Sequence, residues 1–118
     1  MEPISWHVEL QVKPGQMDAF RALTTEMVEA TKCEHGTLVY ERFIGEDNRS
    51  VHVFERYIDS AAAVAHLLTF KRMYDKRFAG MVDRRRFTVF GTPTSELRQI
   101  LDPLGATYFA PLAGFSRG

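Results

Sequence analysis

Residues 4–12 read Ile4-Ser5-Trp6-His7-Val8-Glu9-Leu10-Gln11-Val12. Apolar and polar side chains alternate without a break. Ile4, Trp6, Val8, Leu10 and Val12 therefore share one face, and Ser5, His7, Glu9 and Gln11 the other. A period of two predicts a strand buried on one side. Pro14-Gly15 punctuates it. Met17, Phe20, Leu23, Met27 and Ala30 then recur at three- and four-residue steps, which predicts an amphipathic helix over about 15–33. Gly36 reads as its terminator, with Lys32 in the last turn where the helix dipole favours a cation.

Working outward, residues 37–45 and 51–58 are two β-rich runs around the polar turn Glu46-Asp47-Asn48-Arg49, which predicts a hairpin. Tyr40-Glu41-Arg42-Phe43 is echoed by Phe54-Glu55-Arg56-Tyr57, as expected where opposite charges meet across adjacent strands. Asp59-Ser60 is a helix N-cap signal before Ala61-Ala62-Ala63-Val64-Ala65. That helix is expected to run to about Met81, with a break near Thr69. A fourth strand is expected over 84–91. Thr92-Pro93-Thr94 opens a short helix with Leu97, Ile100, Leu101 and Leu104 on one face, and Asp102-Pro103 should stop it. Tyr108, Phe109, Leu112 and Phe115 make the tail too apolar to hang in water, so a strand is expected from Ala106 to Phe115. The order β-α-β-β-α-β predicts an α+β, ferredoxin-like fold with an antiparallel sheet, helices on one face, and a C-terminal helix and tail strand. Residues 1–92 form the expected domain, and 93–118 the extension.

Composition narrows the function classes. The 118 residues are 45% hydrophobic and 25% charged, with fifteen basic and fifteen acidic side chains. One domain fits this length, which excludes separate cofactor and substrate domains. Zero net charge argues against a nucleic-acid partner. A single cysteine, Cys33, excludes an internal disulfide or a four-cysteine zinc site. There is no signal-peptide pattern and no run of about 18 apolar residues, so a soluble cytoplasmic domain without a membrane partner is expected. The charge is uneven. Residues 1–58 carry six Lys/Arg and ten Asp/Glu, and residues 59–118 carry nine and five. Lys71, Arg72, Lys76, Arg77 and Arg84-Arg85-Arg86 read either as solvated faces or as a mouth that attracts an anionic ligand.

Four histidines, His7, His35, His52 and His66, form no metal-binding spacing. Cys33 and His35 would be at most half a site, so no metal is expected. Phosphate-binding glycine loops and a serine nucleophile elbow are absent from the sequence. His66, Phe70, Tyr74 and Phe78 step by four along the second helix. They are either a core stripe with one satisfied histidine or the wall of an aromatic pocket with one titratable group. Glu55 shares a strand face with Val51, Val53 and Tyr57, where a carboxylate is costly unless paired. Arg42 or Arg56 could pair with it, or it could meet and orient His66. Trp6 and Tyr40 read equally as core or as pocket lining.

Taken in order, three segments resemble the antibiotic biosynthesis monooxygenase domain family. They are Pro14-Gly15 before the first helix with Glu34-His35-Gly36-Thr37-Leu38-Val39-Tyr40-Glu41, then Phe54-Glu55-Arg56-Tyr57-Ile58-Asp59, and Ala65-His66-Leu67. The resemblance covers about residues 4–92. It implies a homodimer whose sheets face each other as an α/β barrel. It also implies oxidation of a small aromatic or quinol-type molecule by dioxygen with no cofactor. By that resemblance His66 is the proton acceptor, Glu55 orients it, and Trp6, Tyr40, Tyr57, Phe70 and Tyr74 hold the ring system, with Phe78 continuing the wall. The lone Asn48, at a hairpin tip, and the lone tryptophan, in the first strand, speak against the haem-degrading branch. A non-catalytic ligand-binding or stress-related dimer, and an isomerase of a small oxygenated metabolite, are the alternatives. The tail from Tyr108 to Phe115 is expected to pack on the partner.

Overall fold

The computed structural model describes residues 2–117. Strand β1 (Ile4–Val12) follows its alternation, each apolar residue buried and each intervening residue half-buried. Helix α1 (Met17–Thr31) buries Phe20, Leu23 and Met27 and begins just after Gly15, whose φ of +78° turns the chain out of the strand. Strands β2 (Thr37–Ile44) and β3 (Ser50–Tyr57) form the expected hairpin, with Asn48 in the left-handed region at its tip. Helix α2 (Ser60–Met73) is capped by Asp59, whose carboxylate accepts from the Ala62 N–H at 2.9 Å. The break comes at Tyr74, not near Thr69, and a short α3 (Asp75–Ala79) continues to strand β4 (Val82–Phe90).

The sheet order is β2-β3-β1-β4 with a fifth strand, β5 (Thr107–Phe109), on the edge of β4. All pairs are antiparallel except β4 with β5, which is parallel. This is the expected ferredoxin-like α+β fold, its four core strands antiparallel and its tail strand added in parallel at the edge. The helices cover the face that carries Trp6, Val53, Glu55 and Val89. On the other face Phe43, Phe90 and Phe109 stay exposed, and His7 and His52 stand 3.0 Å apart, ring nitrogen to ring nitrogen.

Gly36 does not terminate α1, which ends five residues earlier. Its role is close approach: a Cβ there would meet the Ala62 Cβ at 2.6 Å. The turn before β2 thus lies directly on the first turn of α2, and the Ile58 N–H donates to the Gly36 carbonyl at 2.9 Å.

The C-terminal segment packs on its own chain. Helix α4 (Ser95–Leu101) starts at Thr94, whose side chain accepts from the Leu97 N–H and whose N–H donates to Ser60 Oγ at 3.1 Å. Leu97 and Leu101 have no exposed surface. The α-helix stops at Leu101, just before Asp102-Pro103 as expected, and the chain tightens into a 3-10 turn (Asp102–Leu104) that Gly105 ends at φ +79°. Tyr108 is half-buried and its hydroxyl donates to Asp102. The strand ends at Phe109, well short of Phe115. Pro111 has no N–H for a ladder, and Leu112 and Phe115 are 99% and 83% exposed. Among the described residues no helix is long and apolar enough to cross a membrane.

Two substitutions test this packing by urea unfolding. Gly36→Ala should cost about 1–3 kcal/mol because α2 must shift to admit a methyl group. Leu97→Ala should cost about 2–5 kcal/mol by opening a cavity under α4. Wild-type stability in both would refute the close approach and the buried anchor.

Candidate functional site

The register places Tyr40, Glu55, Trp6 and Val89 side by side across four strands, on the face under the helices. Glu55 is 5% exposed at the centre of that row. Three donors meet its carboxylate. Trp6 Nε1–H donates to Oε1 at 3.0 Å and the Tyr57 hydroxyl donates to the same oxygen at 2.5 Å. Arg42 Nη2 donates to Oε2 at 2.5 Å. Arg42 stands opposite Val53, so it reaches Glu55 diagonally across the hairpin, and its guanidinium stacks 3.4 Å above the Tyr40 ring. Its Nη1 is buried with no partner among the described residues, which leaves a donor for water or ligand. Glu55 thus pairs with Arg42, and its Oε1 also lies near the His66 ring.

His66 is buried on α2, with Nδ1 2.8 Å from Glu34 Oε1 and Nε2 3.7 Å from Glu55 Oε1. Glu34 also accepts from the Thr37 hydroxyl at 3.0 Å. The imidazole edge meets Tyr40 and its face tilts over Tyr57, at centroid distances of 5.4 Å and 5.2 Å. A proton on Nδ1 satisfies Glu34 and leaves Nε2 on the Glu55 side. Burial and then the Glu55 charge push the Tyr57 hydroxyl far above the ordinary phenol range, so it stays protonated and donates. Burial raises Tyr40 to about 12, against the pull of Arg42.

Beside this cluster lies a cavity of about 320 Å³ between sheet and helices. Trp6, Val8 and Phe87 form its floor, and Phe70 and Phe78 stand on its helical side. Glu55 and His66 border it, as do Lys71, Asp75 and Arg84. Ile100, Pro103 and Leu104 close it from the C-terminal extension. A broader depression of about 620 Å³ on the open sheet face, by His7, Phe43 and His52, has no comparable buried polar cluster.

Of the residues expected to hold an aromatic ring, Trp6, Phe70 and Phe78 border this cavity. Tyr40 and Tyr57 do not: they pack behind it against His66 and Glu55. Tyr74 does not either. It is buried at the α2–α3 break, with its ring 6.3 Å from Phe70 and the Arg77 guanidinium over it. Cys33 and His35 are exposed. Two contributions were missed from sequence, Glu34 as the partner of His66 and the extension as the cover of the cavity, whereas Lys71 and Arg84 come from the basic run read as a candidate anion-attracting mouth. The one sequence signal for Glu34 was Gly36, whose missing side chain lets this turn reach α2.

Comparison with known proteins agrees with this architecture. A sequence profile described as antibiotic biosynthesis monooxygenase matches residues 3–69. The fold is similar to that of MupZ from Pseudomonas fluorescens, at a TM-score of 0.85 and 22% identity over 98% of this chain and 94% of that one. It is also similar to Rv0793 from Mycobacterium tuberculosis, at 0.60 and 22% identity over 79% and 97% of the two chains. A third similar structure is a mutant of SnoaB, a cofactor-independent oxygenase from Streptomyces nogalater, at 0.65 and 11% identity over 79% and 95%. The MupZ match spans nearly the whole chain and so takes in α4 and β5. No curated protein matches significantly. With a profile match over more than half its length, the chain belongs to the antibiotic biosynthesis monooxygenase family.

Proposed function

We propose that the chain is a cofactor-independent, monooxygenase-like enzyme that oxidises a small aromatic of anthrone or quinol type with O2, as a homodimer. One observation carries the reading. His66 is held by Glu34 at 2.8 Å on Nδ1, and its other nitrogen stands by Glu55 at the edge of an apolar cavity. Family membership and the oxygenase SnoaB support the reaction class.

His66 takes a proton from an activated methylene, and the imidazolium that forms lies between the Glu34 and Glu55 carboxylates. The substrate carbanion gives one electron to O2, and the two radicals combine into a peroxide that His66 reprotonates. Loss of the second methylene proton then breaks the O–O bond. The leaving hydroxide takes that proton and departs as water. The methylene and O2 become a carbonyl and H2O. Trp6, Phe70 and Phe78 hold the ring and exclude bulk water from the carbanion.

The dimer reading rests on the open sheet face, where Phe43, Phe90 and Phe109 are 57%, 41% and 56% exposed. Pairing two such faces would bury them.

A second reading has its own support. Glu55 and His66, 3.7 Å apart, can move a proton between two carbons of an oxygenated metabolite without O2. Turnover under argon would select this isomerase.

Oxygen uptake on a panel of anthrones and hydroquinones should occur with wild type. His66→Ala should lower it about 100-fold or more, the range for a positioned base. Glu34→Gln should have a smaller effect. An inert wild type, or an unaffected His66→Ala, would remove the oxygenase reading. Sedimentation should return twice the chain mass, and Phe43→Glu should shift it to the monomer. A monomeric wild type would remove the dimer.

A further inference from the structure

The cavity has a second pole. In the run Arg84-Arg85-Arg86, the pairing of β1 with β4 shifts register between Glu9 and Leu10: Glu9 stands opposite Arg86, and Leu10 opposite Arg84. Arg85 is the extra residue of this β-bulge. Without it, Arg85 would stand opposite Leu10 and Arg84 would fall on the outer face. The bulge sorts the three cations. Arg85 donates to the outward Gln11 side chain, and Arg86 Nε lies 3.8 Å from the outward Glu9 carboxylate. Arg84 alone shares the face of Leu10 and borders the cavity.

Among the described residues the Arg84 side chain makes no hydrogen bond or ion pair, and neither does that of Lys71, which borders the same cavity from α2. Asp75 borders the same cavity and acts on the Arg84 charge, offsetting one of these two cations. Much of the Arg84 residue is exposed, yet burial of its guanidinium lowers its pKa against the pull of Asp75. The group is thus partly stripped of water without a partner in exchange. Arg42, the other cation bordering the cavity, has its charge paired with Glu55 through Nη2 and keeps only Nη1 free among the described residues. The Glu55–Trp6 row and the Leu10–Arg84 row are four residues apart on β1, about 13 Å along the sheet.

We infer that Arg84, assisted by Lys71, anchors a carboxylate at the far end of an elongated substrate whose aromatic head lies at His66 and Glu55. The inference rests on the reading of this cavity as the substrate site. It adds a substrate class: an aryl or apolar chain ending in an acid.

Trp6 is the only tryptophan and borders the cavity, so its fluorescence reports occupancy without turnover. The probes are 6-(4-hydroxyphenyl)hexanoate and its methyl ester, whose length matches the spacing of the two rows. Wild type should bind the acid roughly 10-fold or more tightly than the ester, the range for a hydrogen bond to a charged group. Arg84→Gln should erase that preference while leaving ester binding unchanged, which also shows that the cavity is intact. Arg84→Lys should keep part of the preference, and Lys71→Gln should lose less than Arg84→Gln. Equal binding of acid and ester by wild type, binding of neither, or equal weakening of both in Arg84→Gln would overturn the anchor. If the acid preference depends on Arg84 but no substrate consumes oxygen, the oxygenase reading fails and the anchor stands. If oxygen uptake proceeds but Arg84→Gln leaves the acid preference intact, the anchor fails and the oxygenase reading stands.

Discussion

A carboxylate buried in the middle of a sheet face is the constraint on which the rest of the structure depends. An ionised group there is far too costly alone, and Glu55 is affordable only because donors reach it from several directions. Trp6 comes from β1, Arg42 from β2, and Tyr57 from further along β3. The contacts from Trp6 and Arg42 are also statements about register. A one-residue slip of β3 would carry Glu55 and Tyr57 together to the open face and leave Trp6 and Arg42 as buried donors without their acceptor. The network therefore ties strand alignment to the placement of a charge beside the cavity. His66 extends the tie to α2, and Glu34 extends it to the turn after α1.

Much of this was legible in the residues. Alternation in Ile4–Val12 set the buried face of β1, and the same rule put Glu55 inward with Val53 and Tyr57. Spacing by four brought His66, Phe70 and Phe78 to one side of α2. Tyr74 belongs to the same arithmetic but leaves the cavity, because the helix breaks at that residue. Periodicity assumes a continuous helix and cannot see such a break. Glu34 was illegible for a different reason. It lies 32 positions from His66, in a turn without regular structure, and the two meet only because Gly36 lets the turn rest on Ala62. The extension divides in two. Leu97 and Leu101 are core of the same chain, whereas the greasiest residues beyond Pro111 stay exposed.

The sheet divides its labour between faces. The helix side holds the buried charges, the cavity and the C-terminal cover. The open side holds exposed phenylalanines and the His7–His52 pair. Because α4 and the 3-10 turn close the cavity from the end of the chain, its shape depends on residues outside the segment that defines the family. Relatives that share the sheet but differ after β4 would keep the polar cluster and offer it a differently shaped space.

The bulge in β4 has a consequence for how such chains are compared. Three adjacent arginines look interchangeable in an alignment column, and a single-residue gap there carries little penalty. In space, that one residue decides which guanidinium faces inward. A relative with the same three arginines but no bulge would present a different one to its cavity, and a relative with one arginine and the bulge could keep the inward charge. Which cation borders the cavity is thus written partly in strand register, where identity scores do not look.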